Sequence, residues 1–260
     1  MSADDRRRPL SVWLVLPTYN EAENLDRIVA QALPALEEVA ERPHVLVVDD
    51  DSPDGTGRVA ARLSERDPRI QVLHHGVKRG LGRAYVAGFE HALARGADRV
   101  IEMDADFSHD VADLPRLVAA ADDLDLVLGS RYAPGGRILD WSALRRGVSR
   151  AGCWYARAVL QLDVRDLTGG FKCFRREVLE ALDLGDVRAN GYVFQIELSY
   201  RALRAGFRVG EIPIAFRDRQ LGTSKMTPAV ALEAAWRVLL LRLRRDALAQ
   251  REQTANSRSA

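Results

Sequence analysis

Cysteine is almost missing from this 260-residue chain: Cys153 and Cys173 are the only two, and no CxxC or Cys/His spacing occurs. A disulfide framework is not expected; two reduced thiols in a reducing compartment are. Histidine is sparse as well. His44, His74, His75, His91 and His109 make no HExxH or similar set, so a histidine-based metal site is not expected. Net charge is nearly absent, at +1, which excludes a general nucleic-acid binder with its strongly basic footprint. No apolar run approaches the roughly 18 residues that cross a bilayer. The opening "MSADDRRRPL" lacks the apolar centre of a signal peptide, so the chain is expected to stay in the cytoplasm. No GxxxxGK[ST] exists, and "GLGRAY" begins GxG but puts Tyr85 where a third glycine should stand. Neither a P-loop nor a dinucleotide fingerprint is present. Lysine is the last scarcity: Lys78, Lys172 and Lys225 are the only lysines among 38 basic positions, which draws attention to each.

What remains is ordinary for a soluble globular protein, 47% hydrophobic and 29% charged. "SVWLVLP" reads as a buried strand, followed by the amphipathic helix "NEAENLDRIVAQAL", with Asn20 as cap and Glu23 completing a capping box. "HVLVVDD", "RIQVLHH", "VIEM" and "LDLVLGS" read as further strands, separated by helical segments. Alternating strands and helices, with strands that are continuous apolar runs, imply an α/β fold. Its sheet is mostly parallel and Rossmann-like, with helices on both faces. The second half is less regular. It predicts a helix over 142–162, a strand and short helix in "GGFKCFRR", a helix in "YVFQIELSYRALRAG" ended by Gly206, a strand "RVGEIPIAF" and a final helix from Pro228 to Ala249. Residues 1–9 are expected to be a loose arm, 10–226 one α/β domain, 227–249 an amphipathic helix and 250–260 a disordered tail.

Parallel sheets of this kind bind ligands beyond the carboxyl ends of their strands. Four polar clusters fall there: "PTYNE", "DDDSPDG", "DAD" and "GSRY". The most informative lies in "VIEMDADFSHD", where Asp104 and Asp106 stand two residues apart as an apolar strand runs out. A lone DxD is commonly a solvated turn. Beside three other strand-end clusters, it reads as a carboxylate pair sharing a divalent ion, Mg²⁺ or Mn²⁺, whose remaining positions are filled by substrate phosphates.

"LPTYNEAENL", "VVDDDSPDGTG", "GLGRAYVAGFEHAL", "MDADFSHD", "LGSRY", "TGGFKCFRREVLE", "GYVFQIELSYRA" and "FRDRQLGTSKM" occur in that order. Together they resemble the family-2 GT-A glycosyltransferases, and within them the dolichol-phosphate or polyprenol-phosphate mannose synthases. The resemblance implies a GT-A fold over 10–226. It implies inverting transfer of mannose from GDP-mannose to a polyprenyl monophosphate. Pro17, Tyr19, Glu21, Val48 and Asp50 would hold guanine and ribose. Asp104 and Asp106 would bind Mg²⁺ or Mn²⁺, with Ala105 against the nucleotide. Arg131, Arg219 and Lys225 would contact the diphosphate or sugar, and Arg131, Arg145 and Ser149 the acceptor phosphate. Two positions depart from the pattern. Asp51 stands where a small residue is common, and Ser108 where some relatives carry a glutamine ligand, which puts the third protein ligand of the metal in doubt. The other readings are a UDP-sugar transferase to the same acceptor and a non-catalytic nucleotide-sugar-binding scaffold.

A lipid acceptor requires an approach to the membrane. In the final helix Trp236, Leu239, Leu240 and Leu243 recur at helical spacing, apart from Arg237, Arg244 and Arg245, in the pattern of an interfacial helix. Packing on the chain's own domain would give the same pattern. Trp154, Tyr155, Val159 and Leu160 either border a lipid groove or belong to the core. Peripheral association with the cytoplasmic membrane face is expected, directly or through a separate integral membrane protein.

Overall fold

A computed structural model describes residues 8–76, 80–187, 191–218 and 232–243. The first strand, β1 (Ser11–Thr18), is buried at every position. Its side chains nevertheless alternate. Trp13 and Val15 join a core on one face, and Val12, Leu14 and Leu16 a core on the other. A strand covered on both sides needs apolar residues at odd and even positions alike, which is why the sequence shows a run and not a period of two.

Among the described residues one sheet has seven strands, in the order β3-β2-β1-β4-β7-β5-β8. β2 (Arg42–Asp49), β3 (Ile70–His74), β4 (Arg99–Glu102), β5 (Leu126–Ser130) and β8 (Val209–Pro213) run with β1. β7 (Lys172–Arg175) runs against its two neighbours, β4 and β5. The helices α1 (Ala22–Glu37), α2 (Thr56–Arg66) and α4 (Leu114–Ala120) pack on one face. On the other lie α3 (Leu81–Ala94), α5 (Ala143–Leu160), α6 (Arg176–Ala181), α7 (Tyr192–Arg204) and a helical segment over 232–243, α8.

Helical spacing accounts for how α1 docks: Leu25, Ile28, Val29, Ala32, Leu33 and Leu36 are its buried stripe. Each such large apolar side chain contributes about 1.5–3 kcal/mol on burial. α3 lies so close to β1 that a Cβ at Gly88 would stand 2.4 Å from Val15 Cγ1, so this helix needs a glycine there despite its poor helix propensity.

Three expectations change. Asn20 does not cap α1: it adopts φ 63, the cap position is Glu21, and no side chain at that position caps the helix. The acceptor comes from the next loop instead, where Asp54 Oδ2 receives the Ala22 amide at 3.1 Å. A cap that must also join two loops is supplied across space, which a local pattern does not show. "RVGEIPIAF" is split: β8 ends at Pro213, and β9 (Ala215–Phe216) pairs with β6 (Arg137–Ile138), a strand the sequence reading lacks. Proline offers no donor to continue a ladder. The N-terminal arm is anchored at its end, with Arg8 Nη2 donating to the Gly96 carbonyl at 2.9 Å.

In α8 the stripe facing the core is Ala234, Val238 and Leu241, while Leu232, Trp236 and Leu243 stay exposed and Leu239 and Leu240 are half-buried. Arg244, Arg245 and the expected tail lie outside the described residues. In α5, Leu160 is core, Tyr155 and Val159 pack against it, and Trp154 is 69% exposed. Tyr155 ties the two helices by donating its hydroxyl to the Ala235 carbonyl at 3.0 Å.

Candidate active site at the carboxyl edge of the sheet

β2, β1 and β4 are neighbours and parallel, so "PTYNE", "DDDSPDG" and "DAD" leave the sheet side by side. The first two loops are knitted together. Asn20 N donates to Ser52 Oγ at 3.1 Å and Glu21 N to Thr56 Oγ1 at 2.9 Å. Asp54 receives the Thr56 amide and hydroxyl at 2.9 and 2.6 Å. Burial works against the Asp54 charge, but these donors hold its pKa below the usual aspartate value. Glu21 is fixed by Asn24 Nδ2 at 2.8 Å. Asp50 bridges to the loop after β3 through His75 Nδ1 at 2.9 Å and the Gly80 amide at 2.9 Å. Pro17 and Tyr19 lie on the same edge. Val48 does not offer its side chain there: it is fully buried under α3, 3.2 Å from where a Gly88 Cβ would stand. Asp51 sits at φ 61, a backbone state that small residues take most cheaply.

At the end of β4, Asp104 is half-buried, while Ala105 and Asp106 are buried. The Tyr85 hydroxyl donates to Asp104 Oδ1 at 3.2 Å, and Ser108 N donates to Asp106 Oδ1 at 3.0 Å. Burial raises the Tyr85 pKa well above its ordinary value, and the negative charge of Asp104, Glu102 and Asp106 adds to the effect. That much negative charge calls for a cation. Among the described residues no three His, Cys, Asp or Glu side chains form a metal-ligand group. Two carboxylates, completed by phosphate oxygens, are nonetheless what Mg²⁺ and Mn²⁺ commonly accept. Ser108 Oγ is buried with no hydrogen-bond partner. The residues present therefore fit a divalent cation.

Beneath this loop Glu102 and Lys172, opposite each other across β4 and β7, form a fully buried ion pair at 3.0 Å. Burial pushes the Glu102 pKa up, against the pull of Lys172 and the neighbouring Gln195 amide; burial likewise lowers Lys172. Lys172 Nζ also donates to the backbone carbonyl of Gln195 at 3.2 Å and to its Oε1.

The antiparallel β7 has a consequence for the site. Its beginning reaches the ligand edge, bringing residues 166–171 beside the ends of β4 and β5. Asp166 grips Arg131, receiving Nε at 2.7 Å, Nη2 at 2.6 Å and the backbone amide at 3.0 Å. Thr168 Oγ1 takes Nη2 at 2.7 Å as well. Among the described residues only Nη1 of this buried guanidinium keeps hydrogen-bonding capacity for a ligand. Burial disfavours both charges, yet the pairing overcomes it: Arg131 is raised and Asp166 lowered. His109, between Asp106 and this pair, is pushed down to about 4, first by burial, so it is neutral near pH 7.

Tyr132, after Arg131, donates its hydroxyl to Ser149 Oγ at 2.7 Å. Arg145 stacks on Trp141 at 4.1 Å and donates Nη1 to Asp218 at 2.6 Å. Arg131, Arg145 and Ser149 thus share one side of the edge. Arg219, Lys225 and Lys78 lie outside the described residues. Sequence reading passed over Tyr85, Asp166 and Gln195. Lys172 was signalled by the scarcity of lysine.

A mostly parallel sheet with a carboxylate pair at the end of β4, knitted loops on one side and arginines on the other, is a GT-A glycosyltransferase. The chain belongs to glycosyl transferase family 2, whose model matches residues 13–183. It is 47% identical over 227 residues to a polyprenol monophosphomannose synthase of Mycolicibacterium smegmatis, covering 86% of this chain and 84% of that protein. It is 44% identical over 225 residues to an undecaprenyl-phosphate mannosyltransferase of Micrococcus luteus, covering 86% and 91%. The fold matches mannosyl-3-phosphoglycerate synthase from Rubrobacter xylanophilus with TM-score 0.65 and 21% identity, covering 92% of this chain and 75% of the other. It also matches glucosyl-3-phosphoglycerate synthase from Mycobacterium tuberculosis, solved with Mn²⁺, UDP and glucosyl-3-phosphoglycerate, with TM-score 0.61 and 20% identity, covering 90% and 78%.

Proposed function

We propose that this glycosyltransferase moves mannose from GDP-mannose to a polyprenyl monophosphate, inverting the anomeric configuration and releasing GDP. The observation that carries the reading is the Asp104–Asp106 pair at the end of β4 in a chain 47% identical to a polyprenol monophosphomannose synthase. The loops holding Pro17, Tyr19, Glu21 and Asp50 take the nucleoside, with Val48 contributing backbone only. Asp104 and Asp106 hold a divalent cation, which when bound supplies positive charge to the departing diphosphate. Arg219 and Lys225, by resemblance, add cationic contacts to the same group.

The acceptor phosphate is already anionic near neutral pH, so its oxygen attacks the anomeric carbon without a strong general base as the bond to the diphosphate oxygen breaks. A neutral, buried His109 agrees with that economy. Orientation is then the main task. Arg145 and Ser149 line the acceptor side, and Arg131, immobilised by Asp166, presents its remaining nitrogen there. No described helix is long and apolar enough to cross a membrane. The exposed Leu144, Val148 and Trp154 of α5 and Leu232, Trp236 and Leu243 of α8 belong to two joined helices, and Arg146 and Arg150 lie on the same α5. These side chains suit peripheral docking at the cytoplasmic membrane face.

The test is transfer of labelled mannose from GDP-mannose to polyprenyl phosphate with Mg²⁺ or Mn²⁺, followed by extraction into organic solvent. Label should enter the organic phase and should not do so with Asp106→Ala. Transfer only from UDP-glucose, or from no donor, would overturn the reading.

A further inference from the structure

Gln195, in the first turn of α7, carries a buried amide donor with two protons, of which the neighbouring Glu102 carboxylate can take only one. Its side chain is 3% exposed, and Nε2 makes no hydrogen bond of ordinary geometry. Its orientation is fixed, because Lys172 Nζ donates to Oε1 and to the backbone carbonyl of the same residue. The amide nitrogen must therefore face the other way. There it neighbours Glu102, whose charge it favours, and the side-chain space left by Gly170.

Gly170 marks that gap. A Cβ built on it would stand 3.2 Å from Gln195 Nε2 and 3.8 Å from both carboxylate oxygens of Asp104. Gly170 does not occupy a left-handed backbone conformation, so no turn demands a glycine at this position. The missing side chain leaves room for something else. The gap has an N–H donor on one wall and a carboxylate on the other. A phosphate oxygen could take the donor but has no proton to give the carboxylate. A hydroxyl group accepts from the amide and donates to the carboxylate, so it satisfies both walls. Leaving the amide unmatched carries a desolvation penalty that such a ligand removes.

We propose that Gln195 contacts the donor sugar: Nε2 donates to a hydroxyl of the hexose carried on the nucleotide diphosphate. Lys172 is the positioning residue that turns the amide, and Gly170 keeps the space for the sugar. The inference rests on the function proposed above and deepens it by assigning a sugar-sensing group.

Calorimetric titration of the full chain with Mn²⁺ and either GDP or GDP-mannose separates the two. Gln195→Met and Gly170→Ala should bind GDP within about twofold of wild type and GDP-mannose at least tenfold more weakly. Lys172→Met should show the same split. Unchanged GDP-mannose affinity in Gln195→Met and Gly170→Ala, with GDP still bound, overturns the proposal and leaves the functional reading standing. Equal loss of both ligands in those variants also overturns it, because the residues would then be merely structural. If Gln195→Met does not fold, Gly170→Ala decides. A wild-type protein that binds neither ligand overturns the functional reading and this proposal together.

Discussion

Arg131 and Asp166 meet fork to fork, with Nε and Nη2 on the two carboxylate oxygens at 2.7 and 2.6 Å, almost wholly out of solvent. Breaking such a pair leaves a buried charge uncompensated, so Asp166→Ala should cost about 3–5 kcal/mol in denaturant unfolding. Arg131→Lys should not restore the lost geometry, since an ammonium cannot serve both oxygens in that plane. The native pKa of Asp166 is depressed, so its contribution is present above the ordinary aspartate pKa. It is lost only as pH falls through the lower native value, and wild-type and Asp166→Asn unfolding curves should converge in that acid range.

His109 predicts a second pH effect in a different window. Its native pKa is about 4 against an ordinary value of 6.5, so the native state disfavours the proton that the unfolded chain accepts. Stability is fully present above pH 6.5 and falls as the pH drops towards 4. Between pH 7 and 5 the loss should be about 2 kcal/mol. His109→Gln should flatten the profile over that interval, as measured by urea unfolding at several pH values.

Tyr85→Phe removes the hydroxyl that donates to Asp104 while keeping the ring stacked on Phe194 at 5.8 Å. A hydrogen bond to a carboxylate contributes about 1.5–3 kcal/mol to the folded state, so Tm should fall, and with Asp104 no longer held the apparent affinity for Mn²⁺ and GDP-mannose should fall as well. Thermal unfolding and steady-state kinetics against both ligands would show the two effects.

Arg145→Gln should raise KM for polyprenyl phosphate at least tenfold and leave the Kd for GDP unchanged. If the GDP affinity falls equally, Arg145 does not belong to the acceptor side.

Asp51→Gly should stabilise the protein by less than about 1 kcal/mol, because φ 61 is cheaper for glycine, while aspartate tolerates it better than most residues and glycine loses more freedom on folding. Thermal unfolding is the direct measurement.

The strand ends were legible because burial on both faces writes an unbroken apolar run, and polar residues follow where it stops. That exposed Asp104, Asp106 and the two nucleotide-side loops. Strand direction left no such trace. "FKCFR" looks the same running either way, so its delivery of Asp166 to Arg131 was out of reach of local pattern. The same holds for the Asp54 cap on α1, which depends on a loop more than thirty residues away in the chain. Val48 marks the opposite case: it lies in a motif, but its side chain points into the core, which leaves its backbone for a ligand.

The reversed strand β7 has a mechanical consequence. Among the described residues, four, Lys172–Arg175, supply the sheet hydrogen bonds between the strands that bear the nucleotide loops and those that bear the arginines. Occupancy of one half can reach the other through the backbone across that narrow splice, and beside it through the Arg217 amide on the Ser108 carbonyl at 3.0 Å. Damage there should disturb the grip on donor and acceptor at once, where damage to either flank would disturb one.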